Sequence, residues 1–124
     1  MREILFRGKR KDIDCWETGY YSDYCWTDDT TSYYINGFEY EVYPETIGQY
    51  TGLTDISGKK IFEGDIMKTA VTGLNQHIGV VTFSDGAFGL RCEDGRGYFC
   101  FVAGNYSIIG NIHDNPELMD EERN

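Results

Sequence analysis

Between Asp12 and Gly58 the chain has no lysine or arginine, although ten of its 21 acidic residues lie there. That segment is a poor ligand for nucleic acid, because phosphate binding rests on cations that release condensed counterions. Histidine is nearly missing as well, with only His77 and His113. Neither belongs to an HExxH or HxxxH pattern or follows a nucleophile elbow, so both are expected to be ordinary surface or capping residues. The longest apolar run, Tyr98 to Gly104, is far short of the ~20 residues of a membrane-spanning helix. No basic segment followed by an apolar one opens the sequence. The expectation is a soluble, unexported, cytoplasmic protein.

Metal-ligand spacing is absent too. Nine residues separate Cys15 from Cys25 and seven separate Cys92 from Cys100, which fits neither CxxC pairs nor a zinc ribbon. Without a secretion signal the compartment is read as reducing, and the four cysteines are expected as free thiols behaving mostly as small hydrophobes. Were Arg91 to Phe101 a hairpin, Cys92 and Cys100 could face each other across it. Glycine-rich Asp94 to Gly97 lacks the GK[ST] ending of a phosphate loop and reads as a hairpin turn. No cofactor or metal is expected.

Aromatics and glycine are abundant: ten Tyr, seven Phe, two Trp and 15 Gly accompany only two Pro in 124 residues. Such a composition favours strands joined by tight turns within one domain, residues 1–124. The fold class expected is mainly β, a small pseudo-barrel or bent antiparallel sheets with a short C-terminal helix. Ile4 and Phe6 share one face of a first strand, and Arg10 to Asp12 turn the chain toward a second around Trp16 to Tyr20. Asn36-Gly37 predicts a type I′ hairpin turn, since both residues tolerate positive φ. Beyond it Phe38, Tyr40 and Val42 alternate with Glu39, Glu41 and Tyr43 until Pro44 ends the strand.

In Gly64-Asp65-Ile66 the glycine allows an acute bend and the aspartate can bond nearby amides. Val80 to Phe83, a turn at Asp85-Gly86 and Phe88 to Cys92 form a further hairpin. Asp94-Gly95 then leads into Tyr98 to Val102, a meander that closes with Tyr106 to Ile112. Asp114 or Asn115 can cap a terminal helix with Pro116 in its first turn, and Leu118 and Met119 can dock it on the sheet.

The segment IGQYTGLTDISGKKIFEGDIMK, Ile47 to Lys68, places a Gly, Thr, Ser and Asp turn cluster between apolar stretches. It closely resembles the signature of YopX-type proteins, a small family of phages and of prophages in Gram-positive bacteria. REILFRGKR (Arg2 to Arg10) is similar to that family's opening strand, GVVTFSDGAFGL (Gly79 to Leu90) to its central hairpin and GNIHDNPEL (Gly110 to Leu118) to its closing segment. Residues 20–33 match nothing in that pattern and read as a variable insertion. The resemblance implies a mostly β fold in a phage-linked, cytoplasmic setting, and it brings no catalytic residue with it.

Three functional readings remain at this point. Trp16, Tyr20, Tyr21, Tyr24, Trp26, Tyr33 and Tyr34 crowd into a polar, acidic segment, and exposed Tyr and Trp are preferred interface anchors. A non-enzymatic accessory protein that binds a protein partner or itself is therefore the leading expectation. The competing role for these rings is to fill the protein's own core. A second reading uses the basic tip Arg7, Lys9, Arg10 and Lys11 on nucleic acid. The third pairs Glu63 with Asp65, which on a regular strand share one side and could act as acid and base, or could cap a turn.

Overall fold

The computed structural model describes residues 4–73, 76–92 and 97–122. The chain divides into two compact units, Met1–Tyr50 and Thr51–Asn124. Strands dominate both, and one short helix closes the chain.

In the first unit β1 (Phe6–Lys9) and β2 (Trp16–Gly19) form an antiparallel hairpin, with Lys9 opposite Trp16 and Phe6 opposite Gly19. The expected turn after Arg10 is present. β3 (Tyr21–Cys25), β4 (Thr31–Ile35) and β5 (Tyr40–Val42) make a three-stranded antiparallel sheet. Residues 20–33, unplaced by the family resemblance, thus largely form its β3–β4 hairpin. Asn36 and Gly37 both take positive φ, 61° and 69°. Pairing nevertheless resumes only at Tyr40, opposite Ile35. Four residues make the connection rather than two, and Phe38 and Glu39 lie in the turn instead of opening the strand.

Ile35 and Val42 are fully buried, and β1 approaches them closely at Gly8. A Cβ there would lie 2.9 Å from Val42 Cγ2. Pro44 ends β5 as anticipated by starting a 3₁₀ turn, Pro44–Thr46. The Thr46 hydroxyl donates to the Tyr43 carbonyl and accepts from the Lys9 amide.

The second unit holds β7 (Lys60–Phe62), β8 (Asp65–Thr69), β9 (Ile78–Ser84), β10 (Ala87–Cys92), β11 (Gly97–Phe99) and β12 (Tyr106–Asn111). β6 (Gly48–Thr54) enters it from the first unit, where Gly48 and Gln49 pair with Arg7 and Phe6. Ile61, Met67, Val81, Leu90, Cys92 and Tyr106 form its buried core. Asp85-Gly86 is a two-residue turn with φ of 52° and 80°, closing the Ser84–Ala87 pair. That is the arrangement a type I′ hairpin requires.

The strand order β11-β10-β9-β8-β12 corrects the simple meander. The last strand crosses back to β8, with Tyr106 opposite Thr69 and a bulge between Ile108 and Gly110. Asp55 supplies the physical reason. Its carboxylate accepts the Ile108 amide at 3.0 Å, while Ile56 donates its amide to the Tyr106 carbonyl at 2.9 Å. β12 is thereby tied to the turn after β6.

Cys92 lies opposite Gly97, and Leu90 lies opposite Phe99, so Cys92 and Cys100 do not face each other. All four cysteines are free thiols. The Asp94-Gly95 turn lies outside the described residues, and the strand expected through Val102 ends at Phe99. The terminal helix α1 (Glu117–Glu122) forms and buries Met119. No helix among the described residues is long and apolar enough to cross a membrane.

Candidate interaction surface

Alternation along β3 and β4 sorts the predicted aromatic cluster onto two faces. Tyr24 stands opposite Ser32 and Tyr34 opposite Ser22, so both rings share one face of the sheet. Trp26 follows β3, and its indole N–H donates to the Ser32 hydroxyl at 2.9 Å. Phe38 joins them from the β4–β5 turn.

The four rings touch edge to face. Centroids lie 4.8 Å apart for Tyr24 and Trp26, 6.3 Å for Tyr24 and Phe38, and 5.2 Å for Tyr34 and Phe38. They line an open groove of about 350 Å³. Tyr24, Trp26 and Phe38 remain 47%, 48% and 65% exposed, although each could bury a large apolar area. Edge-to-face contact leaves ring faces and ridges available to a ligand.

The other predicted rings do not join this platform. Tyr21 and Tyr33 occupy the opposite face, where with Phe6, Pro44 and Ile47 they line a second groove of about 320 Å³. Although Tyr21 remains 37% exposed, desolvation of its hydroxyl, and then its bond to Asp23, push its pKa up to about 12. Trp16 lies beneath the Arg7 guanidinium, 4.9 Å from the ring centroid. Tyr20 is 73% exposed in the link between β2 and β3. The seven residues expected together from the sequence thus fall on two faces, with Trp16 and Tyr20 lining neither groove. Phe38 was missed because it was assigned to a strand, whereas the four-residue turn swings its ring over Tyr34.

Acids flank the platform at both turns. Asp28 and Asp29 follow Trp26, and Glu39 follows Phe38. Asp28 accepts the Thr30 hydroxyl at 2.6 Å and its amide at 3.1 Å. Those bonds hold its pKa below the ordinary carboxylate value. Asp29, with φ of 68°, keeps the turn tight.

The basic tip is largely neutralised by local partners. Arg10 grips Asp12 through Nε at 2.9 Å and Nη2 at 2.6 Å, which lowers the Asp12 pKa. Lys9 meets Asp14 at 2.8 Å and Lys11 meets Glu41 at 3.3 Å. Arg10 also sits 4.6 Å over the Tyr40 ring. These are exposed pairs of small energetic weight, but they offset the local field that phosphate would need.

Among the remaining sequence candidates, Asp65 serves the turn in which it sits. Glu63 and Gly64 form a turn, with Gly64 at φ 95°, so Glu63 and Asp65 do not lie on one regular strand. Asp65 is buried and accepts the Phe62 amide at 2.7 Å, the turn-capping role. His77 is half-buried rather than a surface histidine. Its Nε2 lies 2.6 Å from the Tyr106 hydroxyl and its Nδ1 lies 3.4 Å from Thr69 Oγ1. Nothing local signals that contact, since its partners lie 29 positions apart. His113 is exposed, and its amide donates to Asn111 Oδ1. No group of His, Cys, Asp and Glu suited to a metal occurs among the described residues.

Bent antiparallel sheets, a signature turn held by a buried aspartate and a short terminal helix define a small, mainly β class of protein. The YopX protein family model matches residues 6–120, and the chain belongs to that family. Protein EF1440 from Enterococcus faecalis has a similar fold, at TM-score 0.55 and 24% identity, over 96% of this chain and 99% of that one. Protein yopX from Bacillus subtilis is similar at TM-score 0.52 and 17% identity, over 96% and 97% of the respective chains. No curated protein matches the sequence.

Proposed function

We propose that this protein is a non-enzymatic accessory protein that works by binding another protein in the bacterial cytoplasm, in a phage or prophage setting. Its binding surface is the platform of Tyr24, Trp26, Tyr34 and Phe38. One observation carries this reading: the rings contact one another on an open sheet face, and three of the four remain exposed. Desolvating rigid aromatic rings of this kind is the main source of affinity at protein interfaces. The nucleic-acid reading has less support, because Lys9, Arg10 and Lys11 already face carboxylates.

A photo-crosslinking residue at Phe38, compared with one at exposed Ile109, tests the reading in the host cell. Discrete protein adducts from position 38 that are missing from position 109, and lost on Trp26→Ala, are the expected result. Equal labelling from both positions, or none from position 38, would refute it.

A further inference from the structure

The platform's shape and its charge narrow the partner. We propose that it takes a proline-rich segment in the polyproline II conformation, with arginine or lysine at its ends; this rests on the reading of the platform as a protein-binding surface. Three observations converge on that occupant.

The groove is open, and it is walled by rings set edge to face. Proline rings fit between such ridges, and polyproline II segments dock in aromatic-lined grooves with little ordering cost. The second observation is hydrogen-bonding capacity. Among the described residues no intramolecular hydrogen bond engages the hydroxyls of Tyr24 or Tyr34, whereas the Trp26 N–H is held by Ser32. A polyproline II backbone has carbonyls without internal partners, suited to accept from those two phenols.

Charge supplies the third. Asp28 and Asp29 stand in the turn after Trp26 and Glu39 in the turn after Phe38, while Lys11, which reaches the same sheet at Glu41 opposite Tyr34, is already paired with that carboxylate. Cationic ends on the ligand complement both turns. A second copy of the same acidic face would be repelled, so self-association through this platform is disfavoured.

Fluorescence anisotropy of a labelled decaproline with two arginines at each end tests the inference, with a counterpart carrying two glutamates at each end. The arginine peptide should bind saturably, and the glutamate peptide should bind at least about tenfold more weakly at low salt, where rim charges act most. Trp26→Ala and Phe38→Ala should each weaken binding by about thirtyfold, the level of an interface hot spot. Ile109→Ala should leave it unchanged, and thermal melts of every variant establish that each is folded. No saturable binding up to ~1 mM, a range corresponding to only about −4 kcal/mol, would overturn the inference. So would equal affinity for the two peptides, or indifference to both platform variants. Crosslinking at position 38 that persists without peptide binding overturns the proline-rich occupant alone. Loss of both overturns the protein-binding reading beneath it.

Discussion

Replacing Asp55 with asparagine should destabilise the second unit far more than one isosteric change at a surface turn would. The residue is 5% exposed. Its Oδ1 accepts the Ser57 and Lys59 amides, each at 2.9 Å, and its Oδ2 accepts the Ile108 amide at 3.0 Å. Burial works against the charged form, but those three N–H donors outweigh it and hold the pKa below its ordinary value. Asparagine keeps one acceptor oxygen and must present its NH₂ to the remaining amide, donor against donor. With hydrogen bonds to charged groups worth ~1.5–3 kcal/mol and a buried orphan donor costing ~1–3 kcal/mol, the expected loss is about 2–4 kcal/mol at neutral pH. For a chain of this size the melting temperature should fall by about 10 °C.

The pH dependence has a definite sign. A carboxylate with a depressed folded-state pKa contributes fully above its unfolded value of ~3.9, and that contribution is lost as pH falls through the folded value. The gap between wild type and Asp55→Asn should therefore narrow below pH ~4. Urea unfolding followed by circular dichroism at several pH values measures it. A gap under ~0.5 kcal/mol at pH 7, the size of an ordinary surface change, would refute the reasoning. A gap that stays constant down to the acid limit would also refute it.

Gly37→Val should cost ~1–3 kcal/mol through backbone strain alone, because φ is 69° and no atom lies within 4 Å of a Cβ there; an unchanged melting temperature would mean that the β4–β5 turn is loose. The same variant should reduce crosslinking from position 38, since that turn presents Phe38. Gly79→Ala should cost ~1–3 kcal/mol by overpacking, as its Cβ would lie 2.5 Å from Leu90 Cγ, and chemical denaturation reads the loss. Under native conditions a thiol reagent should modify exposed Cys25 and Cys100 well before buried Cys92, and equal rates would contradict the core assignment. Mobility shifts at ~150 mM salt should show no duplex DNA binding below ~10 μM; tight binding lost on changing Arg7, Lys9, Arg10 and Lys11 to Ala would favour the nucleic-acid reading.

Local chemistry made several features legible in the sequence. Asn36-Gly37 and Asp85-Gly86 tolerate positive φ, Gly64-Asp65 bends and caps its own turn, and Pro44 stops a strand by removing an amide donor. Each depends on residues within a few positions of one another. Composition alone indicated a mainly β chain, because dense aromatics and glycines suit strands and turns. The Ile47 to Lys68 segment pointed to the YopX family before any geometry was known.

What the tertiary structure decided lies beyond that local range. Strand alternation divides a hairpin's residues into two faces, but it cannot say which face another element will cover. Tyr21 and Tyr33 went to one groove, while Tyr24 and Tyr34 went with Phe38 to the exposed one. The length of the turn after Ile35, four residues rather than two, placed Phe38 there. The return of β12 to β8 and the meeting of His77 with Tyr106 join residues dozens of positions apart. Loop closure over such distances depends only weakly on length, so sequence separation hardly discriminates between strand orders. Burial and long-range hydrogen bonds discriminate instead, among them the Ile108 amide held by Asp55 across 53 residues.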